Sequence, residues 1–165
     1  MLFEGKDFFV DITDVDDLIE ITKVYNSNKN FLVNHMDKEV ITYDWLLEDV
    51  KGMKNAGFSP CKIVDKCTGK IFGLIEFKIS NETYLSLLML HCDYLNQGLG
   101  SLIFHEFEKY IRTTKSTAIR IDVVTSYDRN VLNFWRKNGF SKLKDIELSW
   151  GQKTLSAALM KKGII

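Results

Sequence analysis

The sequence predicts a mixed α/β (α+β) fold, with a central sheet of about six to seven strands flanked by about four helices. Three observations predict it. Apolar residues recur at helical spacing in the first third, the spacing becomes that of strands from Cys61 onward, and strands then alternate with helices before a closing pair of strands. Residues 1–165 contain neither an internal repeat nor a linker rich in Pro or Ser. We therefore expect a single domain.

The first 57 residues predict one strand and two helices. These elements are the strand Phe8–Ile12, the helix Val15–Tyr25 and the helix Tyr43–Asn55. Thr42 is positioned to cap the second helix and Gly57 to end it, whereas Phe31–Val40 remains ambiguous. The expected inward face of the first helix is Val15, Leu18, Ile19, Ile21 and Tyr25.

The remaining chain predicts six strands and two helices. The strand Tyr84–His91 is almost continuously apolar, which is typical of a strand covered on both faces. The other elements are the strands Lys62–Asp65, Ile71–Ile79 and Ile119–Val124, the helices Ser101–Arg112 and Arg129–Asn138, and the closing strands Ile146–Trp150 and Lys153–Met160.

Composition excludes several classes of protein. Of the 165 residues, 45% are hydrophobic and 27% are charged, so the chain can bury a substantial core and is not dominated by disorder. Lys and Arg number 22 and balance 22 Asp and Glu. A general nucleic-acid-binding protein needs a basic excess to neutralise phosphates, so zero net charge argues against that function.

Cysteine usage and hydropathy predict a cytoplasmic protein without a metal centre or a membrane span. Cys61, Cys67 and Cys92 are an odd number at irregular spacing and form no pattern of zinc ligands. We expect them to be reduced thiols. The N-terminus lacks the basic and apolar stretches of a signal peptide, and the longest nearly apolar run, Leu85–Leu90, is far shorter than the ~20 residues that span a bilayer.

The segment that carries chemistry is Leu88–Ser101, where a buried strand leads through a loop with two glycines directly into a helix. Gly98 and Gly100 lack a Cβ atom, so the chain can turn tightly and a ligand can approach its N–H groups. The helix N-terminus adds unpaired donors and a partial positive charge. This combination predicts a cradle for a phosphate or pyrophosphate. A glycine turn that only tightens strand–helix packing has the same pattern.

Two other phosphate-binding motifs are excluded by residues in or next to this segment. The dinucleotide fingerprint requires a third glycine where the chain has Ile103. The P-loop requires a lysine after its last glycine, whereas Gly100 is followed by Ser101 and Leu102. The loop belongs to neither class.

The segment resembles a motif of the GNAT acyltransferase superfamily, in which a strand and a short polar link lead to Gln/Arg-x-x-Gly-x-Gly/Ala at the start of a helix. Here Leu90 stands at the strand end, His91–Tyr94 are the link and Leu95–Gly100 are the loop. The family's later helix, Asn-x-x-Ala-x-x-Phe-Tyr-like and ending in Gly-Phe, is similar to Asp128–Phe140, and its last strand is similar to Leu155–Lys162. The resemblance covers nearly the whole chain.

Three positions depart from the family pattern. Leu95 stands where the loop usually has Gln or Arg, which removes one polar contact to the pyrophosphate. Asp128 replaces the usual Asn. Trp135 stands where the family commonly has a tyrosine that protonates the departing thiolate, and an indole cannot supply that proton.

The resemblance implies an acyltransferase enzyme, an N-acetyltransferase that moves the acetyl group of acetyl-CoA to a primary amine by direct attack in a ternary complex. Acetyl-CoA is expected in the gap where Tyr84–His91 and Ile119–Val124 splay apart, with pantetheine paired to the backbone near Met89 and Leu90. The residues expected to bind it are Met89, Leu90, His91, Leu95, Asn96, Gln97, Gly98, Leu99, Gly100, Ser101, Asp128, Asn130 and Trp135.

Three side chains are the candidates for catalytic proton transfer. Tyr127 is one candidate for the substitute acid, and a water molecule is the other. Tyr84 falls near the position of a catalytic glutamate in some family members, and Glu76 interrupts an apolar strand. Tyr84 is otherwise an aromatic side chain of the core or of the cleft wall, and Glu76 otherwise lies on a solvated face. His91 and His35 are further candidates, His35 because its segment helps to form the acceptor pocket in this fold. Strict alternation places four side chains on one strand face: Tyr84, Ser86, Leu88 and Leu90.

Leu95 and Trp135 keep a second function open, a GNAT-fold module that binds an acyl-CoA with weak or no catalysis and acts as a sensor or partner-binding domain. The expected partner is a small-molecule or peptide amine acceptor, with no nucleic acid and no membrane. The resemblance also implies a homodimer through the late strands. Trp150 beside the Gly151 turn belongs either to that surface or to the core.

Overall fold

The computed structural model describes residues 1–150 and 152–165, with Trp150 described by its backbone alone. The expected turn at Gly151 and the expected place of the Trp150 side chain lie outside the described residues. In chain order the elements are β1 (Phe3–Glu4), β2 (Phe8–Ile12), α1 (Leu18–Ser27), α2 (Lys29–Met36), α3 (Tyr43–Asn55), β3 (Ser59–Asp65), β4 (Ile71–Lys78), β5 (Glu82–Leu90), α4 (Leu99–Arg112), β6 (Ala118–Val124), α5 (Asn130–Lys137), β7 (Ser141–Trp150) and β8 (Lys153–Gly163).

The strands of the described residues form one mixed sheet in the order β1–β2–β3–β4–β5–β6–β8–β7. Neighbouring strands are antiparallel except β5 and β6, which are parallel. Helix α4 connects this parallel pair, as a crossover between parallel strands requires. The eight strands and five α-helices of the described residues confirm the mixed fold predicted from the sequence, with β1 and α2 as additions.

The sheet separates two apolar layers. On one face α4 packs, with Phe107 fully buried in a cluster that also contains Trp135 from α5. On the other face α1, α2 and α3 pack, burying Leu32 and Leu46 against Leu74 of β4. Each such apolar side chain contributes about 1.5–3 kcal/mol to folding. Buried apolar side chains therefore cover the sheet on both faces.

Two expectations for the first helix are wrong, because Val15 and Ile19 are 59% and 61% exposed. Val15–Asp17 forms a 3-10 turn, whose tighter winding does not continue the helical stripe, and α1 begins only at Leu18. Ile19 lies on the far side of α1 from its buried stripe. That stripe is Leu18, Ile21, Val24 and Tyr25.

The segment that the sequence left ambiguous contains the helix α2. Asn28 is its N-cap, and Asp37 ends it in the left-handed conformation with φ 58°. Leu32 is the buried residue of this helix, which is too little for an amphipathic pattern to reveal eight residues as helical. Among the described residues, no helix has both the length and the apolar character needed to cross a membrane.

Candidate active-site cleft

Strands β5 and β6 pair over a short stretch and then diverge. Their parallel register begins at Glu82 and Ala118, ends at Tyr84 and Arg120, and has no further pairs within the described chain. Beyond this point a cleft of about 630 Å³ opens between the two strands. Its walls are residues 85–90 of β5, residues 121–124 of β6, the α1–α2 junction at 27–31 and residues of the segment between β6 and α5.

A β-bulge in β5 lies at the start of the divergence. Leu85 and Leu87 pair with the adjacent β4 residues Phe77 and Glu76, which leaves Ser86 as the extra residue. The Ser86 Oγ atom donates a hydrogen bond to the Glu76 carbonyl at 3.1 Å. A bulge bends its strand and increases the local twist, which accounts for β5 turning away from β6 here.

The bulge overturns the alternation expected for Tyr84, Ser86, Leu88 and Leu90. Leu88 and Leu90 pack in the cluster on the α4 side of the sheet, together with Leu85. Tyr84 instead contacts Phe58, which follows α3 on the opposite side, with ring centroids 5.9 Å apart. One extra residue inverts the facing of all residues beyond it, so a strict period of two is wrong for this strand.

One backbone group on the cleft-facing edge of β5 is already hydrogen-bonded within the protein, near the end of the strand. The His91 N–H donates to the Phe72 carbonyl of β4, so by alternation the backbone polar groups of Leu90 face the cleft. The Asn28 Nδ2 atom donates to the Leu90 carbonyl at 2.9 Å. By the same alternation, the Leu90 N–H and the backbone polar groups of Leu88 also face this edge of the cleft.

The N-terminus of α4 presents N–H groups without a side-chain cap. Gly98 is the N-cap, with φ +77°, and the Leu102 N–H makes the first bond back to its carbonyl. The N–H groups of Leu99, Gly100 and Ser101 therefore have no partner inside the helix. A Cβ atom at Gly98 would meet no described atom within 4 Å, so the space before the helix is open. This geometry fits an anionic group such as a phosphate.

The second glycine of the loop lies against α5. A Cβ atom at Gly100 would stand 3.3 Å from the Phe134 ring, which is a tight contact. Nearby, the Asn138 Nδ2 atom donates to Ser101 Oγ at 3.2 Å. Gly98 thus provides the left-handed turn and Gly100 lies in close helix packing, so the packing interpretation holds for Gly100, and the phosphate cradle stays a prediction.

The cleft brings together some of the predicted site residues and leaves others beyond its walls. Those that line it are Met89, Leu90, Leu95, Tyr127, Asp128 and Trp135. The other predicted coenzyme A ligands continue along the loop and the starts of α4 and α5; they are His91, Asn96, Gln97, Gly98, Leu99, Gly100, Ser101 and Asn130. Sequence reasoning missed Asn28, Phe31 and Asp122, which also line the cleft and which no motif marks.

Three consecutive side chains that follow β5 form a cluster of possible metal ligands. His91, Cys92 and Asp93 each offer a ligand atom within 4.8 Å of the others. The His91 Nδ1 atom already accepts the Asp93 N–H at 3.2 Å, which uses its lone pair inside the loop. The expected lack of a metal stays a prediction.

The family model described as "Acetyltransferase (GNAT) family" matches residues 18–140 of the 165 residues. The chain belongs to the GNAT acetyltransferase family. No curated protein matches the sequence significantly.

Solved acetyltransferase structures superpose on this chain over nearly its whole length. An acetyltransferase from Thermus thermophilus gives a TM-score of 0.78 at 15% identity, covering 95% of this chain and 97% of its own. The spermidine N-acetyltransferase of Vibrio cholerae, in complex with CoA and spermine, gives 0.76 at 14% identity, covering 96% of each chain. The PaiA N-acetyltransferase of Thermoplasma acidophilum, in complex with coenzyme A, gives 0.68 at 18%, covering 94% and 98%. At such identities the likeness shows the fold.

In this GNAT chain Trp135 is at once core and cleft wall. Its ring meets Phe104, Phe134 and Phe140 edge-on, with centroids 5.4, 4.8 and 5.3 Å away. Only 7% of the residue is exposed, yet it lines the cleft. Edge-to-face pairs contribute about 0.5–1.5 kcal/mol each beyond burial, so the indole is firmly held.

Tyr127 and His35 meet in the cleft wall although 92 residues separate them in sequence. The His35 Nδ1 atom lies 3.2 Å from the Tyr127 hydroxyl oxygen. Burial, and then the nearby Asp128, raises the pKa of Tyr127 to about 12, so the phenol keeps its proton at neutral pH. Burial, and then Lys153, lowers the pKa of His35 to about 4, so the imidazole is neutral there.

Tyr84 lies at the foot of the divergence and is held by polar neighbours. The Arg120 guanidinium lies 5.5 Å from its ring centroid and also binds the Asp122 carboxylate through bonds of 3.1 and 3.0 Å. Burial, and then Asp122, raises the pKa of Tyr84 to about 12. Asp122 lines the cleft, whereas Tyr84 lies beyond its walls. A catalytic role for Tyr84 stays a prediction.

Glu76 lies behind the cleft wall and is only 6% exposed, so the interpretation of a solvated face is wrong. Its strand partner is Leu87, which lines the cleft, but Glu76 itself does not. Burial, and then Asp49 on α3, raises the pKa of Glu76 to about 8. Its role as a catalytic base stays a prediction.

The raised pKa of Glu76 predicts that stability falls as the pH rises. Between its ordinary pKa of 4.5 and about 8, the folded chain keeps a proton that the unfolded chain has lost. The contribution of this proton to the free energy of unfolding is fully present below pH 4.5 and is lost by pH 8. Between these values the free energy of unfolding decreases by up to about 1.4 kcal/mol per pH unit.

The variant Glu76→Gln removes this titration and keeps the side chain's shape. Between pH 5 and about pH 8.5 we expect the free energy of unfolding to decrease in the wild type as Glu76 loses its advantage. In Glu76→Gln this decrease should be smaller by at least about 2 kcal/mol. Urea titrations at the two pH values measure both changes. Equal changes in the two proteins would contradict the buried, protonated state of Glu76.

Proposed function

We propose that the chain is an N-acetyltransferase that moves the acetyl group of acetyl-CoA to a primary amine by direct attack in a ternary complex. The observation that carries this proposal is the divergence of β5 from β6 after Tyr84, which frees a strand edge that leads to the uncapped start of α4. A strand edge binds an extended amide-containing chain, and a helix N-terminus binds phosphates. Membership of the GNAT family supports the same reaction.

The residues present fit acetyl-CoA at this site. Pantetheine pairs with the backbone of Leu88 and the N–H of Leu90, since the Leu90 carbonyl already accepts from Asn28, while the N–H groups that begin at Leu99 hold the pyrophosphate. Leu95 adds apolar contact instead of a polar one. The proposed coenzyme A contacts are those predicted from the sequence: Met89, Leu90, His91, Leu95, Asn96, Gln97, Gly98, Leu99, Gly100, Ser101, Asp128, Asn130 and Trp135.

Tyr127 is the proposed proton donor of the reaction. Acetyl-CoA supplies the activated acetyl group as a thioester, and the reaction leaves a thiolate that needs a proton. The Trp135 indole cannot give one, whereas the Tyr127 phenol lines the same cleft and is protonated at neutral pH. A backbone N–H of β5 stabilises the negative charge that develops on the carbonyl oxygen.

The amine class of the acceptor is supported by two kinds of observation. The cleft wall beside Tyr127 is formed by the aromatic rings of Phe31 and His35, which suit an alkyl or aryl amine in its neutral form. One solved neighbour is a spermidine N-acetyltransferase bound to CoA and spermine. We propose a small-molecule or peptide amine as the acceptor.

Acetyl-CoA-dependent thiol release tests the proposed function. The purified chain is assayed with polyamines, amino acids, aminoglycosides and peptide N-termini, with acetyl-CoA alone as the blank. We expect release above the blank with at least one amine class, and an acetylated amine in the product mixture by mass spectrometry. A melting temperature that no CoA ester changes would contradict the proposal.

Leu95 and Trp135 favour a second candidate, an acyl-CoA-binding module with weak or no catalysis. Both side chains line the cleft, and each removes a polar group that the family pattern places there. Under this second function acetyl-CoA raises the melting temperature, but no amine on the panel releases thiol. The two assays together separate the enzyme from the module.

A further inference from the structure

The contact between His35 and Tyr127 joins two distant parts of the cleft wall. His35 stands near the end of α2, and Tyr127 lies in the segment between β6 and α5. The imidazole Nδ1 atom and the phenol oxygen are 3.2 Å apart, and the two rings are nearly perpendicular, at 87°. This distance is that of a hydrogen bond in which either ring can be the donor.

The His35 ring is held in one orientation by its neighbours. Phe31, one helical turn earlier on α2, stacks on it with centroids 4.5 Å apart and an angle of 23°. The end of α2 is tied to β8, because the Lys153 Nζ atom contacts the Asp37 carboxylate at 3.2 Å and the Val33 carbonyl at 3.5 Å. These contacts favour the His35 rotamer in which the imidazole contacts Tyr127.

The tautomer of the neutral imidazole decides where the phenol proton points. With the proton on Nδ1, His35 donates to the Tyr127 oxygen and leaves the phenol O–H to point into the cleft. With the proton on Nε2, the Nδ1 lone pair accepts the phenol O–H and turns it away from the cleft. Only the first arrangement lets Tyr127 give its proton to a ligand.

We infer that His35 is a positioning residue for proton donation by Tyr127, with its Nδ1–H donating to the phenol oxygen. This inference rests on the proposed function. As the amine nitrogen bonds to the acetyl carbon and the carbon–sulfur bond breaks, the thiolate takes the Tyr127 proton. The His35 N–H then stabilises the phenolate. The proton that the amine loses returns through solvent to restore the phenol, so the transfer is balanced.

Steady-state kinetics of three variants test this coupling. We expect His35→Leu to lower kcat about 10- to 100-fold with little change in KM for acetyl-CoA, because the donor is misaligned while the cofactor site is intact. Adding His35→Leu to Tyr127→Phe should cost nothing further, since the two residues act as one unit. His35→Asn, whose amide N–H replaces Nδ1–H, should recover part of the loss. If the fold decrease in kcat of the double variant equals the product of the two single decreases, the inference is overturned.

A matched control and a readout apart from activity separate this role from a structural one. His105 is an exposed histidine on α4, and His105→Leu should leave kcat unchanged. In the ¹⁵N-labelled wild type, long-range ¹H–¹⁵N correlation spectra should show His35 protonated on Nδ1 in the folded chain at pH 7. A proton on Nε2 would overturn the inference whatever the kinetics. If the wild type acetylates no amine, the proposed function fails instead, and the spectrum still reports the tautomer.

Discussion

Gly100→Asp is expected to abolish measurable binding of coenzyme A. Gly100 lies in the first turn of α4, between Leu99 and Ser101, whose N–H groups have no partner inside the helix. A carboxylate there accepts these N–H groups and repels the pyrophosphate. We expect Kd to rise at least about 100-fold, equivalent to about 2.7 kcal/mol. Isothermal titration of the variant and the wild type with coenzyme A measures the change.

Two further variants separate charge from shape at this position. Gly100→Ala adds only the Cβ atom that meets Phe134 at 3.3 Å, so it should weaken binding far less than the aspartate does. Leu102→Asp puts the same charge on an exposed residue of α4, beyond its last unpaired N–H group, and should bind coenzyme A almost normally. Unchanged affinity in Gly100→Asp would refute the loop as a phosphate cradle.

Tyr127→Phe is expected to lower kcat by about 10²- to 10⁴-fold, the usual contribution of general acid catalysis. The phenyl ring keeps the cleft wall and removes only the hydroxyl group that contacts His35. Because no cofactor contact is lost, KM for acetyl-CoA should change little. Initial rates with the best amine from the thiol-release panel measure both constants.

Tyr110→Phe is the matched control for this loss of a hydroxyl group. Tyr110 is a half-buried tyrosine of α4 that stacks on Phe3, away from the cleft, so its variant should keep the wild-type kcat. An unchanged kcat in Tyr127→Phe would place the proton donor elsewhere in the cleft. Trp135→Tyr would then be the next variant to measure, because it restores the family's usual acid.

The strand–loop–helix unit around Gly98 was predictable because local chemistry specifies it. A left-handed N-cap needs glycine, and a helix that follows directly needs an amphipathic run, so both features are visible in the sequence. The divergence of β5 from β6 was expected only through the family resemblance. Its local companion, the bulge at Ser86, leaves no signal in the sequence, because serine is compatible with a regular strand as well.

Placement of the candidate acids and bases depended on packing between distant segments. Glu76 sits in an apolar strand, and only the helices packed over it decide that it is buried rather than solvated. His35 is a candidate for a role at Tyr127 only because α2 places it beside that residue, although 92 residues separate the two in sequence. A pairing of this length carries no periodic or motif signal in a single sequence.

The sequence by itself determined the fold class, the glycine loop at the start of α4 and the unusual tryptophan at position 135. The fold class and the loop follow from residue type and from spacing over a few turns of chain, which are local properties. Trp135 is unusual only by comparison with the pattern of the GNAT family. Only the tertiary structure decided which side of the sheet the β5 side chains beyond Ser86 face, that Glu76 is buried, and which side chain contacts Tyr127. Those outcomes arise from a one-residue bulge and from the docking of α2, where long-range packing selects among arrangements that are locally equivalent.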